Sequence, residues 1–358
     1  VHKKVWRKIL AGQRISPSEG LILWREAPFL ELAAAARDYR ERLIPGNRVT
    51  FVWDSNPNYT NICINDCSFC AFWRRAGSSE AFVRLVEELL ASFREAACQG
   101  VTTILLQGGV NPELPLSYYL NLVRRTVAEV PEVHPHFFSP PEIRGMALAE
   151  GLTVTEVLRL LWEAGLRTLP GGGAEILSDR VRKIISPRKG TAADWLMVMR
   201  EAHRLGFRTT ATMMFGHREK PADLIAHLDA IRNLQDEHQG FTAFIPWSFK
   251  TPHSPLGKKI TRRATGLDYL RHLALARIYL DNFPHVQASP FSEGKKIGQV
   301  ALHCGADDFG GILREESVHR AAGHINPLEV TEMVDLIRAA GFTAAQRDTH
   351  YRILKIYE

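Results

Sequence analysis

The chain has 358 residues, of which 45% are apolar and 23% charged, an ordinary globular balance that excludes fibrous, low-complexity and largely disordered classes. A formal charge of +6 spread along the chain gives no ground for a nucleic-acid partner. Apolar runs such as Val101 to Gln107 are too short for a bilayer span, and the N-terminus lacks a signal-peptide core, so a cytoplasmic protein is expected.

In chain order, residues 1–43 read as a helical extension. Its start, His2 to Arg14, sets Val5, Ile9 and Leu10 on one face opposite Lys3, Lys4, Arg7 and Lys8. That pattern suits either a helix capping a larger body or one lying on a membrane surface. From residue 44 to 358 short β-rich runs alternate with amphipathic helices. The strands are expected at Arg48 to Trp53, Thr102 to Gln107, Val133 to Ser139, Leu166 to Pro170, Thr209 to Phe215, Thr242 to Phe249, Val286 to Ala288 and Phe342 to Gln346. Helical patterns fall between them, including Glu80 to Cys98, Ala192 to Leu205 and Pro327 to Ala340. Gly100, Gly165, Gly206 and Gly341 stand where a left-handed cap turns each helix back into a strand. The rhythm predicts an α/β fold, a (β/α)8 TIM-type barrel behind an N-terminal helical extension.

Polar and glycine clusters follow the expected strands: Gln107-Gly108-Gly109, Ser139-Pro140-Pro141-Glu142, Gly171-Gly172-Gly173-Ala174-Glu175, Gly216-His217 and Pro246-Trp247. In a barrel those ends form the rim where active sites are built. Directly after the first strand come Cys63, Cys67 and Cys70, three of five cysteines within eight residues. Clustered thiols in a reducing compartment point to metal, and thiolates suit iron-sulfur clusters, zinc and copper(I). Zinc would need a fourth protein ligand, whereas a [4Fe-4S] cluster on three thiolates keeps one iron open to S-adenosylmethionine (SAM). Cys98 and Cys304 read as small core residues. Phe69 is placed to pack on the adenine. Gly108 and Gly109 let backbone approach the methionyl end, and Ser139, Glu142 and Glu175 offer hydrogen bonds to SAM. His134 and His136 share one face of the third strand, as a hydrogen-bonded pair or as a metal or proton-transfer site. Asp348, Thr349, His350 and Tyr351 follow the last expected strand, with Arg347 beside them fitted to a carboxylate.

At these residues the sequence resembles the radical SAM enzymes of the futalosine route to menaquinone, most of all the cyclase branch. The resemblance runs from about Ile15 to Tyr351. It is carried by Asn58-Tyr59-Thr60-Asn61, Cys67-Ser68-Phe69-Cys70-Ala71-Phe72, Leu106-Gln107-Gly108-Gly109, Phe138 to Ile143, Pro170 to Ile176, Met214-Phe215-Gly216-His217, Phe244-Ile245-Pro246-Trp247 and Gln346-Arg347-Asp348-Thr349. It implies Cys63, Cys67 and Cys70 as cluster ligands and SAM as cofactor. It also implies an electron donor such as flavodoxin or ferredoxin. The reaction implied is cleavage of SAM to a 5′-deoxyadenosyl radical that takes the ribose C4′ hydrogen of dehypoxanthine futalosine, a nucleoside-derived small molecule, before ring closure. Asp348, His217 and Tyr59 are the candidates for base or ring orientation, and Asn61, Arg347 and Trp247 for substrate binding. Related readings are an aminofutalosine synthase, a deazaflavin-forming enzyme and, from another class, a non-catalytic zinc-binding barrel. Two rim segments, Lys250-Thr251-Pro252-His253-Ser254 and Ser289-Pro290-Phe291-Ser292-Glu293-Gly294, depart from the branch's pattern.

Overall fold

The computed structural model describes residues 2–250, 253–324 and 326–358. Three helices, His2–Leu10, Pro17–Glu26 and Phe29–Leu43, precede the first strand. Val5 and Ile9 are both 2% exposed, so these two pack within the molecule, as a capping helix requires, whereas Leu10 is 67% exposed. The second helix starts at Pro17 behind a reciprocal cap: the Glu19 amide donates to Ser16 Oγ and the Ser16 amide to Glu19 Oε2 (3.3 and 2.8 Å). Gly20 lets this helix close on Tyr279, whose ring leaves no room for a Cβ. Among the described residues no helix is long and apolar enough to cross a membrane.

The strands are β1 (Arg48–Val52), β2 (Asp54–Ser55), β3 (Thr103–Leu106), β4 (His134–Phe137), β5 (Thr168–Leu169), β6 (Arg208–Phe215), β7 (Phe241–Ser248), β8 (His285–Val286), β9 (Asp308–Gly311), β10 (Thr343–Arg347) and β11 (Ile353–Tyr357). Strands β2 to β8 form one parallel sheet in sequence order, and a second sheet has the order β11-β10-β1-β9. Only Trp53 separates β1 from β2, and parallel bridges Gln287↔Asp308 and Ser55↔Arg314 join the two sheets, so the curled sheet closes through β9 and β1. Helices cover the outside, as in a barrel built from βα units. Helix Val86–Cys98 buries Leu89, Leu90 and Phe93, and Gly266–Tyr279 is buried along most of its length.

Two strand placements differ from the sequence expectation. The ring position after β8 belongs to β9, Asp-Phe-Gly-Gly, which lacks the β-branched run that marks a strand. The expected last strand, β10, instead flanks β1 and carries residues 348–351 under the ring. There Thr349 Oγ1 pairs with Thr103 Oγ1 (2.8 Å), the His350 ring meets His134 (4.8 Å), and the Tyr351 ring stacks on His285 (3.7 Å). Thr103, His134 and His285 are the first residues of β3, β4 and β8, so the turn seals the N-terminal floor and not the rim where it was expected.

The expected helix from Glu80 begins only at Val86, because the Thr60↔Val83 bridge draws the preceding residues across the cysteine loop. Cys304 is buried as expected, but Cys98 is exposed.

Candidate active site

A cavity of about 380 Å³ opens among the C-terminal strand ends and reaches down inside the barrel to the floor. Cys63, Cys67 and Cys70 all line it as free thiols. Their loop is fastened by backbone groups and amide side chains. Asn58 Nδ2 donates to the Gln107 carbonyl (2.8 Å), and Asn61 both donates to the Glu80 carbonyl and accepts from the Phe82 amide (2.8 and 2.9 Å). The Gly109 amide donates to the Thr60 carbonyl (2.9 Å) and the Ile64 amide to the Val110 carbonyl (3.0 Å). A Cβ at Gly109 would overlap the Ile62 carbonyl, and one at Gly108 the Tyr59 ring, so both glycines are required where the loop after β3 meets the cysteine loop.

Burial pushes the Cys67 thiol up to about 12 and raises Cys70 as well. Such thiols become thiolates through a metal's own charge. Among the described residues no three His, Cys, Asp or Glu side chains converge on a single-ion site. A cubane takes three thiolates at separate iron corners and leaves its fourth iron open, which is the donor set that Cys63, Cys67 and Cys70 offer. The residues fit the cluster.

The wall beside the cysteines is a set of buried carboxylates already in use. Glu142 accepts from the Gly108 amide (3.0 Å), the Tyr59 hydroxyl (2.7 Å) and the Ser139 amide (2.8 Å), and from the Ser139 hydroxyl. Burial nonetheless pushes it up to about 7, against those hydrogen bonds. Ser139 and Glu142 thus cap helix Pro140–Glu150, fix the Gly108 turn, and still line the cavity. Glu175, at φ +46°, forms an ion pair with Lys189 (2.7 Å), whose ammonium stands 4.9 Å from the Phe69 ring centre. Burial alone would lower Lys189, but Cys67 and Glu175 outweigh it and raise its pKa, so a cation is fixed beside the cluster loop. Arg182 holds the glycine loop by donating to the Gly173 and Ala174 carbonyls (3.1 and 2.8 Å).

Phe69, Gly108, Gly109, Ser139, Glu142, Glu175, Asn61, Trp247 and Arg347 all line the cavity with the cysteines. The three expected acid-base candidates do not. Tyr59 is locked in an aromatic cluster with Tyr119 and Phe138 (5.7 and 5.9 Å), its hydroxyl on Glu142. His217 accepts from the Arg218 amide at Nδ1 (2.7 Å) and reaches the Met214 carbonyl at Nε2 (2.9 Å), so both ring nitrogens serve their own loop. The Asp348 carboxylate accepts from the His350 and Arg352 amides (both 2.9 Å) and pairs with the Arg352 side chain, holding its own turn on the floor. Arg347 reaches the cavity, but its guanidinium is paired with buried Asp308 and donates to the Asp348 carbonyl (3.0 Å), so it is not a free cation awaiting a carboxylate. His134 and His136 both bond Thr168 Oγ1 (2.9 and 2.8 Å), and burial lowers His136 to about 3, a neutral structural pair.

Three contributors were missed. Asp54, the first residue of β2, lines the cavity fully buried and accepts from the Leu313 amide (2.8 Å), and burial raises its carboxyl to about 6. Its place directly after the first expected strand, Arg48 to Trp53, was the available signal. Lys189 carried none, because it lies far along the chain from the cysteines. His319 lines the cavity with its ring edge-on to Trp247 and Phe291 (5.6 and 5.5 Å). Of the departing rim segments, Ser289 to Ser292 line the cavity, and Lys250 joins the two by pairing with Glu293 (3.1 Å). Thr251 and Pro252 lie outside the described residues.

Residues 57–231 match the radical SAM superfamily, and residues 238–358 match the CofH/MqnC C-terminal region. The chain is 38% identical to the cyclic dehypoxanthine futalosine synthase of Halalkalibacterium halodurans, across 99% of this chain and 95% of that one. It is 41% identical to the 5-amino-6-(D-ribitylamino)uracil--L-tyrosine 4-hydroxyphenyl transferase of Methanoculleus marisnigri (98% and 97%). It is 39% identical to the aminodeoxyfutalosine synthase of Thermus thermophilus (98% and 95%). In fold it is similar to the hydrogenase maturase HydG from Carboxydothermus hydrogenoformans, with a TM-score of 0.72 at 17% identity over 98% of this chain and 80% of that one. Methylornithine synthase gives a TM-score of 0.72 at 16% identity over 94% and 96%. A cysteine triplet on the rim of this barrel, together with relatives near 40% identity along its whole length, places the chain in the radical S-adenosylmethionine superfamily, as an enzyme using a [4Fe-4S] cluster and SAM, in the branch that carries the CofH/MqnC C-terminal region.

Proposed function

We propose that this enzyme closes dehypoxanthine futalosine to its cyclic form, a step of menaquinone biosynthesis. The observation that carries the reading is the Phe244-Ile245-Pro246-Trp247 block at the end of β7, which brings Trp247 into the cavity against the ring of His319, itself edge-on to Phe291, a seat for the substrate's aryl group. Aryl groups gain from such edge-to-face contacts beyond their buried area.

When bound, the cluster and SAM supply the carbon radical that abstracts the sugar hydrogen, and the reducing electron comes from a flavodoxin- or ferredoxin-type donor. The chain's own residues do the rest. Cys63, Cys67 and Cys70 hold the cluster, and Lys189 places a positive charge beside Cys67. The Gly108-Gly109 turn, fixed by Glu142, and Phe69 line the place for SAM. Ring closure leaves an unpaired electron on the aryl ring, which becomes aromatic again by losing an electron, which the oxidised electron donor would take back, and a proton, which Asp54 accepts: with a pKa of about 6 it is ionised at neutral pH yet basic enough to take a proton. Asp54 replaces Asp348, His217 and Tyr59 in that role, since none of those three lines the cavity.

The alternatives within the branch are an aminofutalosine synthase-like or deazaflavin-forming reaction on a related nucleoside. Anaerobically reconstituted, reduced enzyme incubated with SAM and dehypoxanthine futalosine should yield 5′-deoxyadenosine and a product lighter by two hydrogens in mass spectrometry. Deoxyadenosine without that product would reject the cyclase and leave the paralogues.

A further inference from the structure

Strand β9 ends in two glycines, and each gives way to a polar side chain from beside it. A Cβ at Gly310 would overlap Gln287 Nε2, and one at Gly311 the Asp54 carboxylate. Gly310 also sits at φ +91°, in the region that favours glycine. Gln287 follows β8 and Asp54 opens β2, so the two flank the end of β9. Gln287, Asp54, Gly310 and Gly311 all line the cavity.

Asp54 Oδ1 already accepts from the Leu313 amide (2.8 Å). Gln287 is half-buried, and its carboxamide makes no hydrogen bond with any described residue. Neither of its polar atoms is sealed from the cavity. The polar groups near it are committed elsewhere: Ser289 Oγ donates to the Pro246 carbonyl (3.1 Å), and Arg347 pairs with Asp308. A ligand filling this part of the cavity must replace the hydrogen bonds that water makes with the carboxamide, or lose affinity.

The surroundings say what kind of ligand group fits. A carboxamide donates and accepts, as a hydroxyl does. Asp54, with a pKa of about 6, is ionised at neutral pH, which disfavours an anion beside it and suits a group that can donate. Around the ring Gln287 stands between Trp247, at the end of β7, and Asp54, so a ligand whose aryl group rests on Trp247 presents its next portion to the carboxamide. We propose that the Gln287 carboxamide is a substrate-positioning group that hydrogen-bonds a sugar hydroxyl beside Asp54; on the cyclase reading, which this rests on, that hydroxyl belongs to the sugar of dehypoxanthine futalosine.

The test uses the cluster-reconstituted enzyme and Gln287→Met, which keeps the side chain's length and removes its donor and acceptor. Binding is measured without reductant, in the presence of SAM, so that no turnover is needed. For one hydrogen bond the Kd for dehypoxanthine futalosine should rise roughly 3- to 10-fold. Among analogues that each lack one sugar hydroxyl, one should bind wild type more weakly by a similar factor and lose nothing further in the variant, the mark of a direct pair. Benzoate, which has no sugar, should bind both proteins equally, and SAM affinity, iron content and melting temperature should match wild type. If methionine costs iron or melting temperature, Gln287→Ala, which adds no bulk against Gly310, carries the same comparison.

Equal Kd values for the nucleoside overturn the assignment, as does an equal loss for benzoate or for SAM, which would put the carboxamide on a carboxylate or on the cofactor. A variant that weakens every analogue by the same factor overturns it too, and so do two variants that both lose iron or stability. If wild type binds the nucleoside without cyclising it, the cyclase reading fails and the Kd comparison still decides the role of Gln287; if wild type does not bind it, both fail.

Discussion

Replacing Asp54 by Asn separates a proton acceptor from a structural carboxylate, because the two roles predict opposite effects on stability. Burial raises Asp54 from an ordinary 3.8 to about 6, a disfavouring of the ionised form by roughly 3 kcal/mol at pH 7. The sign follows from linkage. A carboxyl whose folded pKa is raised adds stability fully below about 3.8 and loses it as pH rises through about 6, so at pH 7.5 the ionised group strains the fold. Asn keeps an acceptor for the Leu313 amide and carries no charge, so Asp54→Asn should melt no lower than wild type at pH 7.5, and higher by up to about 3 kcal/mol. Its chemistry should suffer. Cyclised product should form roughly 100- to 1,000-fold more slowly while deoxyadenosine still appears, the usual loss when a general base is removed. In wild type, product formation per cluster should climb with a single ionisation near pH 6 and level off above it. Liquid chromatography with mass detection between pH 5 and 8 reads both species. Wild-type product formation by the Asn variant, or a flat wild-type profile, would refute the role given to Asp54.

Other expectations follow from the cluster's surroundings. Serine at Cys63, Cys67 or Cys70 should abolish the iron-sulfur absorbance after reconstitution and with it all deoxyadenosine formation; retained iron and sulfide in any one variant would remove that residue from the ligand set. Gly109→Ala places a methyl group against the Ile62 carbonyl, so its iron content should drop well below wild type; full loading would show that the loop can shift. Lys189→Met removes the cation beside Cys67 and should lower the cluster's reduction potential in an electron paramagnetic resonance titration, since the reduced cluster loses a favourable neighbour; an unchanged potential would place the lysine's influence elsewhere.

The sequence made the cofactor machinery legible because its signals are local. Three thiols in one loop, glycines required by close backbone contact and a capping Ser-Glu pair each announce themselves within a few residues. Strand β9 was hidden because Asp-Phe-Gly-Gly has no strand composition and is held instead by its neighbours and by buried Asp308. The same omission sent residues 348–351 to the wrong end of the barrel, and with them Asp348 as a rim base. His217 and Tyr59 stand in matching blocks, but such blocks do not tell a residue that shapes a loop from one that meets the substrate. Asp54 and Lys189 come from distant parts of the chain and acquire their character, one weakened as an acid and one fixed as a cation, only from burial and neighbours that the fold supplies.

The cyclase assignment is tested most directly with dehypoxanthine futalosine carrying deuterium at the ribose C4′. Incubated with the reduced enzyme and SAM, it should deliver deuterium into 5′-deoxyadenosine and give a cyclic product lacking that deuterium and one further proton. Deoxyadenosine free of deuterium, with the labelled nucleoside recovered unchanged, would contradict it.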